Sequence, residues 1–444
     1  MTENFIKISI LNDNGEGIAF TEGKEVYFKD ALPGETVVAN IGAPFAKGSK
    51  RCPGTIIKRL EDNKERVNPF CSHFFKCGGC QLQHLSLKGQ QEYKKEKIQE
   101  ALDEVGVKVK VKNFSQEKRD LICRYKTVRY FKDSSQGLVC GFYKARSHEL
   151  EEVVACPLEP LWFGVFITDL LSVLNSFKVT AYNEIIKQGV IRNLMLRDGK
   201  DERLALLSFT KKPSDFLFKA LQELGNKYAL NSFSYFINDS SGNKILSDSC
   251  KVIYANDCFT AKLFNLSFKV SPQSFLQVNP QATEELYKKA VTWCGEYKEA
   301  LALDLCCGVG TMTLAMAPNF KKVIGVEIVD KAIEMAKENA VLNNANNVSF
   351  IVSDLKEVLP SLINDNVKAV IVDPARVGLG DANCRALNRL KGPVKLAAIF
   401  CSLTALKRDL PVLLKGCWKV HEVQGVDMFP QTTHVETVVL LSKS

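Results

Sequence analysis

From about residue 283 onward, helical stretches alternate with short apolar runs, and this alternation constrains the fold more than any other feature of the chain. Helical patterns cover residues 283–298, 311–317 and 329–343. The apolar runs span residues 300–305, 322–326, 348–352, 367–372, 396–400 and 435–441. Strands that alternate with helices predict a parallel sheet with helices on both faces. We therefore predict a doubly wound α/β domain in this part of the chain.

Side chains at the ends of these strands predict a cofactor site, because the carboxyl ends of parallel strands share one edge of the sheet. The loop after the first strand contains Cys306, Gly308 and Gly310, and the next three strands end in acids, which are Glu327, Asp354 and Asp373. Glu327 is placed to accept hydrogen bonds from ribose hydroxyls, and Asp354 to meet an adenine edge. Each acid could instead be a helix N-cap.

The glycine pattern helps to choose between cofactors. A third glycine, which a dinucleotide-binding loop would carry near Thr313, is absent, and this disfavours NAD. Three acids at successive strand ends favour a cationic cofactor. The sequence therefore predicts that S-adenosylmethionine is bound at this edge.

Two further side chains at the same edge predict nucleophilic chemistry. Cys401 ends the run 396–400, and Glu436 lies within the apolar final strand. A buried cysteine is usually a small hydrophobe, and a carboxylate on an edge strand can simply face water. Beside a methyl donor, however, a thiolate can add to C6 of uracil and make C5 nucleophilic, and a carboxylate can then remove the C5 proton. Arg408 is expected to favour the thiolate.

A cysteine cluster lies near the N-terminus. CSHFFKCGGC places Cys71, Cys77 and Cys80 within ten residues, which is a strong metal signal. The spacing is not the Cys-x3-Cys-x2-Cys of radical enzymes. Zinc would need a fourth ligand, for which His73 and Cys156 are candidates, whereas four thiolates suit an iron–sulfur cluster.

The first 60 residues alternate apolar and polar positions between glycine-rich turns, which predicts a small β-barrel. Residues 120–270 are predicted to be mixed β with a few helices. There, basic residues alternate with aromatic ones, as on an RNA-facing strand, although a solvated strand face fits equally well. We expect RNA contacts from Lys58, Arg59, Arg124 and Arg129.

Bulk properties narrow the class of protein. The 444 residues suffice for two or three domains, and Lys and Arg exceed Asp and Glu by nine, which is compatible with a polyanionic partner. The chain has neither a signal-peptide pattern nor an apolar run of membrane-spanning length. We expect a cytoplasmic monomer that binds RNA and has no DNA or membrane partner. Its 15 cysteines are expected to be thiols and metal ligands.

Several motifs resemble those of the RNA 5-methyluridine (uracil-C5) methyltransferases, including DLCCGVG, VDPARVGLG, FCSLTALKRDL and MFPQTTHVETVVLL, and SPQSFLQVNPQ resembles the segment that leads into their catalytic domain. GIAFTEGKEVYFKDALPGETVVANI resembles a TRAM domain. The resemblance implies a class I methyltransferase domain, Cys401 as nucleophile and Glu436 as base. It implies cofactor or substrate contacts from Gln277, Glu327 and Asp373. Thr311 falls where family members often carry Asn, and Asp354 matches less cleanly. Together with the strand-end argument, the predicted cofactor-binding residues are Gln277, Cys306, Gly308, Thr311, Glu327, Asp354 and Asp373.

The resemblance is to the 23S rRNA type of this family, which implies a 4Fe–4S cluster on Cys71, Cys77, Cys80 and Cys156. The implied organisation is a TRAM-like barrel at 1–60, a central iron–sulfur and RNA-binding α+β domain at 61–88 and 120–270, and the methyltransferase domain at 89–119 and 271–444.

Other readings stay open at this point. The chain could act on transfer RNA, or could be a non-catalytic RNA-binding iron–sulfur protein with a degenerate methyltransferase fold. A cytosine-C5 enzyme would also use a cysteine, but the motifs around Asp373 and Glu436 fit it less well. One departure from the family is that Ser402-Leu403 replaces the usual Asn-Pro after the nucleophile.

Overall fold

The computed structural model describes residues 4–115, 121–240 and 250–444. The chain forms two compact units. One contains the chain up to Lys94 together with Phe142–Glu151 and Phe429–His434, and the other contains Lys95–Gly141, Glu152–Met428 and Val435–Ser444. Among the helices in the described ranges, none has the length and apolar character needed to cross a membrane.

Six short strands build the N-terminal sheet, because apolar residues alternate with polar ones and need a common face to bury them. The strands are β1 (Asn4–Lys7), β2 (Ile10–Leu11), β3 (Gly17–Thr21), β4 (Lys24–Phe28), β5 (Thr36–Ile41) and β6 (Arg51–Glu61). They lie in the order β1-β5-β6-β4-β3-β2 around a core that includes Ile8, Val26 and Phe28. Helix α1 (Leu87–Glu104) and the short strand β7 (Val111–Lys112) follow.

A seven-stranded mixed sheet forms the middle of the chain. Its elements are β8 (Lys126–Ser134), β9 (Gly137–Tyr143), β10 (Leu150–Glu152), α2 (Leu161–Ser176), β11 (Ile191–Asp198), β12 (Arg203–Phe209), α3 (Asp215–Lys227), β13 (Ser232–Ile237) and β14 (Lys251–Ala255). The order is β10-β9-β8-β11-β12-β13-β14. Phe166 of α2 and Leu221 of α3 belong to the hydrophobic core beside this sheet. A hairpin of β15 (Phe259–Leu263) and β16 (Leu266–Val270) comes next.

The C-terminal part alternates helices and strands as predicted. Its elements are α4 (Pro280–Cys294), β17 (Tyr297–Leu305), α5 (Thr311–Met316), β18 (Phe320–Glu327), α6 (Asp330–Leu342), β19 (Val348–Val352), α7 (Leu355–Leu362), β20 (Val367–Val372), α8 (Asp381–Leu387), β21 (Val394–Phe400), α9 (Leu403–Leu414), β22 (Lys419–Val426) and β23 (Glu436–Lys443). With β7 they form one sheet in the order β19-β18-β17-β20-β21-β23-β22-β7.

This sheet is parallel except for β23, which runs antiparallel to both of its neighbours. Five consecutive residues of β21, from Leu396 to Phe400, are buried, so both faces of the sheet are covered. The predicted α/β class is confirmed. The strand order changes direction at β17, because β18 and β19 lie on one side of it and β20 and β21 on the other. Doubly wound sheets bind ligands at such a change of direction.

Two local differences from the sequence prediction have physical reasons. Helix α4 ends at Cys294 rather than at residue 298, because Gly295 adopts φ +77° and terminates it. Strand β22 was not predicted, since polar side chains interrupt its apolar pattern at His421, Glu422 and Gln424.

Candidate active site at the carboxyl edge of the sheet

The loop after β17 has a backbone that leaves room for a ligand. Cys306, Gly308 and Gly310 adopt positive φ angles of 69°, 54° and 85°. A Cβ atom added at Gly308 would meet no atom within 4 Å, so open space adjoins this backbone. At Gly310 an added Cβ would lie 3.2 Å from the Cβ atom of Ala336. The two glycines therefore differ, because Gly308 borders open space and Gly310 is packed.

Glu327 ends β18 and is held by backbone donors. Its carboxylate accepts hydrogen bonds from the amides of Gly308, Ile328 and Val329 at 3.2, 2.8 and 3.0 Å. Three donors fix the carboxylate against the cofactor loop, so its orientation does not depend on a ligand. This placement agrees with the predicted role at the cofactor edge.

Asp304, which the sequence analysis did not single out, lies at the base of the same loop. It is fully buried in β17, and its Oδ2 atom accepts a hydrogen bond of 2.6 Å from the Thr313 hydroxyl. Burial raises the pKa of Asp304 to about 6. An acid at the end of an otherwise apolar strand was the signal that could have identified it.

Thr311 and Asp354 have local structural partners. The buried Thr311 hydroxyl lies 3.4 Å from the Tyr287 hydroxyl. Asp354 is the N-cap of α7: its side chain accepts a hydrogen bond from the Lys356 amide at 3.1 Å and pairs with the Lys356 ammonium at 3.3 Å. The N-cap alternative is thus realised at Asp354, and its contact with adenine stays a prediction.

Cys401 and Glu436 meet at the end of two paired strands. Cys401 follows β21 and Glu436 begins β23, and in the antiparallel register Phe400 lies opposite Thr437. The half-buried Cys401 thiol donates to the carbonyl oxygen of Pro374 at 3.9 Å. Glu436 is 3% exposed, and its Oε2 atom has no hydrogen-bond partner in the described chain. A buried carboxyl with an unused oxygen is costly unless it has a task.

Three acidic groups influence one another at this edge. Burial, and then the charge of Asp373, raises the pKa of Glu436 to about 8. Burial and the charge of Asp304 raise the pKa of Asp373 to about 7, while a hydrogen bond from Gln277 opposes the rise. Burial, with Glu436 and Asp373, raises the pKa of Cys401 to about 11. This edge of the sheet therefore favours the neutral forms of Glu436, Asp373 and Cys401, and the raised pKa values of the two carboxyl groups lie near neutrality.

Arg376 is the cation that acts on this cluster, and the sequence analysis did not identify it. It lowers the pKa of both Cys401 and Glu436 against the larger effect of burial. The expectation that Arg408 favours the thiolate was wrong. Its guanidinium is bound to the Asp409 carboxylate at 2.7 and 2.9 Å and to the Val377 carbonyl. The signal for Arg376 was its position three residues after Asp373 in VDPARVGLG.

The loop change after Cys401 does not prevent a helix from starting there. Ser402 is the N-cap residue of α9, and its carbonyl accepts a hydrogen bond from the Leu406 amide at 3.0 Å. The thiol thus precedes the N-terminus of a 12-residue helix, whose dipole favours negative charge.

The cysteine cluster is not arranged as a metal site. Cys71, Cys77 and Cys80 are half-buried in a loop of the first unit, and Cys156 belongs to the second unit. Within residues 4–115, 121–240 and 250–444, no group of three or more His, Cys, Asp or Glu side chains is placed to hold a metal ion. His73, one candidate ligand, pairs with Glu151 at 2.9 Å. The described residues thus show no formed metal site, and the cluster stays a prediction.

Arg129, which was predicted to contact RNA, lies in the protein interior. Arg129 is fully buried and forms a two-pronged ion pair with Glu159, at 3.0 and 2.6 Å. Its prediction as an RNA contact was wrong, because strand alternation puts it on the buried face of β8. Arg59 is paired with Asp30 at 2.6 Å, and Lys58 is exposed.

A doubly wound sheet with an open glycine loop, oriented acids and a thiol–carboxyl pair at one edge defines a methyltransferase-like α/β enzyme. Comparisons with known proteins identify the family. The family model for tRNA (Uracil-5-)-methyltransferase matches residues 178–444, more than half of the chain. The chain therefore belongs to the uracil-5 RNA methyltransferase family, whose members depend on S-adenosylmethionine.

Individual relatives cover nearly the whole chain. An uncharacterized RNA methyltransferase of Bacillus cereus is 32% identical, covering 98% of this chain and 95% of the relative. One of Caldanaerobacter subterraneus is 33% identical, with 99% and 97% covered. The crystal structure of Pyrococcus abyssi tRNA (uracil-54, C5)-methyltransferase in complex with S-adenosyl-L-homocysteine is similar at a TM-score of 0.76, with 25% identity and with 99% and 100% of the two chains covered.

Proposed function

We propose that this protein methylates C5 of a specific uridine in 23S rRNA through a covalent bond between Cys401 and C6 of the uracil. The observation that supports the proposal most strongly is the placement of Cys401 and Glu436 at the adjoining ends of β21 and β23, where the charges of Glu436 and Asp373 act on the thiol. A thiol near a buried carboxyl matches what uracil C5 chemistry requires, because C5 becomes nucleophilic only after a nucleophile has added to C6.

The two side chains act at different steps. The Cys401 thiol releases its proton to solvent as the sulfur bonds to C6, and the electron pair of the C5–C6 double bond moves toward the C4 carbonyl to form an enolate. S-adenosylmethionine, when bound, supplies a methyl group on a positively charged sulfur. After C5 carries the methyl group, the Glu436 carboxylate takes the C5 proton, the double bond re-forms and the thiolate leaves. A pKa of about 8 makes ionised Glu436 a stronger base than an ordinary carboxylate.

The residues proposed to hold the cofactor surround the loop after β17. The open space at Gly308 and the fixed carboxylate of Glu327 fit a cationic nucleoside cofactor. The proposed contacts come from Gln277, Cys306, Gly308, Thr311, Glu327, Asp354 and Asp373. Asp304 and Thr313, which bond to each other beneath the loop, position it.

Transfer RNA is the second candidate substrate, because the similar Pyrococcus abyssi structure is a tRNA (uracil-54, C5)-methyltransferase. Cells with and without this protein separate the two. We expect 5-methyluridine to disappear from one position of 23S rRNA when the protein is absent, as measured by mass mapping of RNA fragments. Loss from transfer RNA alone would assign the second substrate, and unchanged 5-methyluridine in both RNAs would contradict the proposed activity.

The domain assignments are also part of the proposal. We propose a TRAM-like barrel at 1–60, a central RNA-binding domain at 61–88 and 120–270, and a methyltransferase domain at 89–119 and 271–444. The strand β7 supports the last assignment, because it pairs with β22 of the C-terminal sheet. The 4Fe–4S cluster on Cys71, Cys77, Cys80 and Cys156 is supported by the cysteine spacing and the family resemblance, and no step of the mechanism depends on it.

A further inference from the structure

A cavity in the second unit lies outside the cofactor loop. It is formed by the start of β8, the turn after β11, the hairpin β15–β16 and the segment 276–283, and it encloses about 530 Å³ when the open space at its mouth is counted. Several of its lining residues are apolar, including Phe259, Leu263, Phe268 and Leu276.

Arg197 provides a buried cation to this cavity. It is 3% exposed, and its Nη2 atom donates to the carbonyl oxygen of Ser274 at 2.6 Å. Its Nε and Nη1 atoms are buried without a hydrogen-bond partner in the described chain. A buried guanidinium normally has a carboxylate partner, and burial without one lowers the pKa of Arg197 to about 10. Within the described residues, the positive charge of Arg197 is therefore left without a carboxylate partner.

Lys126 places a second cation beside the first. Burial and the charge of Arg197 lower its pKa to about 7, and no acid opposes these effects. Lys200 also lines the cavity, and two further charged groups there are already engaged. The Asp198 carboxylate accepts hydrogen bonds from Trp162 Nε1 at 2.6 Å and the Lys200 amide at 2.7 Å, and the Lys262 ammonium pairs with Asp201 at 2.6 Å.

The cavity adjoins the reaction edge through one residue. Gln277 lines the cavity and also donates a hydrogen bond to Asp373, whose charge acts on Cys401 and Glu436. A ligand in the cavity therefore lies beside the segment that contacts the reaction edge.

We propose that Lys126 and Arg197 bind a phosphodiester group of the RNA substrate that flanks the reacting uridine, an inference that rests on the proposed function. Two guanidinium N–H groups and an ammonium match the oxygens of a phosphate, and such contacts set the register of a nucleic acid on a protein. The apolar lining suits the adjoining sugar or base. Burial of the two positive charges then destabilises the free protein, and the phosphate charge compensates for this loss of stability in the complex.

The test is the variant Lys126→Met, with Lys126→Arg as the charge-conserving variant and Lys211→Met as the matched control. Lys211 is exposed just beyond the opposite end of β12 from the cavity. The measurements are the melting temperature, the Kd for unmodified 23S rRNA and transfer RNA transcripts at several salt concentrations, and kcat at saturating RNA. The RNA that the wild-type protein methylates is the one analysed.

We expect Lys126→Met to raise the Kd about tenfold, as for the loss of one charge-assisted hydrogen bond. The slope of log Kd against log salt should fall by about 0.7, the value for one phosphate contact on a single strand. The melting temperature should stay or rise, kcat should be unchanged, and Lys126→Arg should restore binding. A purely structural lysine would instead lower the melting temperature and leave the salt slope intact.

Other results overturn the inference without touching the proposed function. In the first, the wild type methylates RNA, but Lys126→Met binds that RNA with the same Kd and salt slope as the wild type. Unchanged binding is the result expected of the control Lys211→Met. In the second, inorganic phosphate raises the melting temperature of the wild type but not of Lys126→Met, while both proteins bind RNA equally well. The site would then bind a free anion rather than the RNA. A wild-type protein that methylates neither RNA contradicts the proposed function itself.

Discussion

At the scale of single residues, the proposed active site contains carboxyl groups that are easier to protonate than usual. Glu436 is the clearest case, because it is buried in a strand, lies near Asp373 and has an oxygen without a partner in the described chain. The motif MFPQTTHVETVVLL predicts its role as the base, which stays a prediction. Its raised pKa was not predictable, because it depends on burial and on the charge of Asp373, opposed by Arg376, and these come together only in the fold.

The raised pKa predicts that Glu436→Gln stabilises the protein while it stops turnover. A carboxyl whose pKa rises from 4.5 to about 8 on folding binds its proton more tightly in the folded state. The stability that the neutral carboxyl contributes is therefore complete below pH 4.5 and is lost as pH rises through 8, and the full loss is about 5 kcal/mol. Denaturant unfolding at pH 5 and pH 8 should show that Glu436→Gln gains much more stability over the wild type at pH 8 than at pH 5.

The control for this comparison is Glu334→Gln, which changes an exposed carboxylate on α6 in the same way. It should follow the wild type at both pH values. If Glu436→Gln lost stability at pH 8, Glu436 would be a structural partner rather than a strained functional group.

At the scale of elements, the alternation of strands and helices was predictable because each strand is a short apolar run between recognisable helices. The order of the strands was not predictable from local pattern, since it depends on which edges pair. The place of β22 between β7 and β23 is an example, and β7 itself is only two residues long. The three acids could be placed at one edge because parallel strands end together.

The loop after β17 allows a matched pair of substitutions. Both Gly308→Ala and Gly310→Ala put a side chain at a positive φ angle, which costs roughly 1 kcal/mol of stability. Gly310→Ala also crowds Ala336 and Phe350 at 3.2 Å, so we expect a total loss of about 2 kcal/mol. Gly308→Ala occupies the open space proposed for the cofactor and should weaken S-adenosylmethionine binding about tenfold.

Denaturant unfolding and calorimetric titration with S-adenosylmethionine measure the two effects separately. Equal stability losses would mean that the packing around Gly310 relaxes at no cost. Unchanged cofactor affinity in Gly308→Ala would place the cofactor away from this loop.

At the scale of the whole molecule, the family match and the structure support the proposed functions of different parts of the chain to different degrees. The family covers the catalytic part from residue 178 onward, where motif and geometry agree. The N-terminal cysteines are different, because their spacing indicates a metal but the part of the chain that the structure describes shows no formed metal site. Sequence spacing reports which donors are present, whereas a metal cluster often organises its own loop on binding.

We predict that anaerobically purified protein contains about four irons and four sulfides per chain, as a four-thiolate cluster requires. Cys156→Ser should lose iron because it removes one ligand, while Cys417→Ser, which changes an exposed cysteine, should retain it. Metal analysis and visible absorption provide the measurement. Stoichiometric zinc without sulfide, or full iron content in Cys156→Ser, would refute the assigned ligand set.

The central claim is that Cys401 bonds to uracil C6 and Glu436 removes the C5 proton, and a covalent protein–RNA adduct tests it most directly. In RNA that contains 5-fluorouridine, fluorine replaces the C5 proton and cannot leave as a cation, so the thiol cannot be released.

With S-adenosylmethionine present, the wild type and the control Cys417→Ala should form a methylated adduct that survives a denaturing gel, and mass analysis should place it on Cys401. Glu436→Gln should accumulate such an adduct even with unmodified RNA, and Cys401→Ala should form none and transfer no methyl group. Normal turnover by Cys401→Ala, or no adduct between the wild type and the fluorinated RNA, would contradict the account.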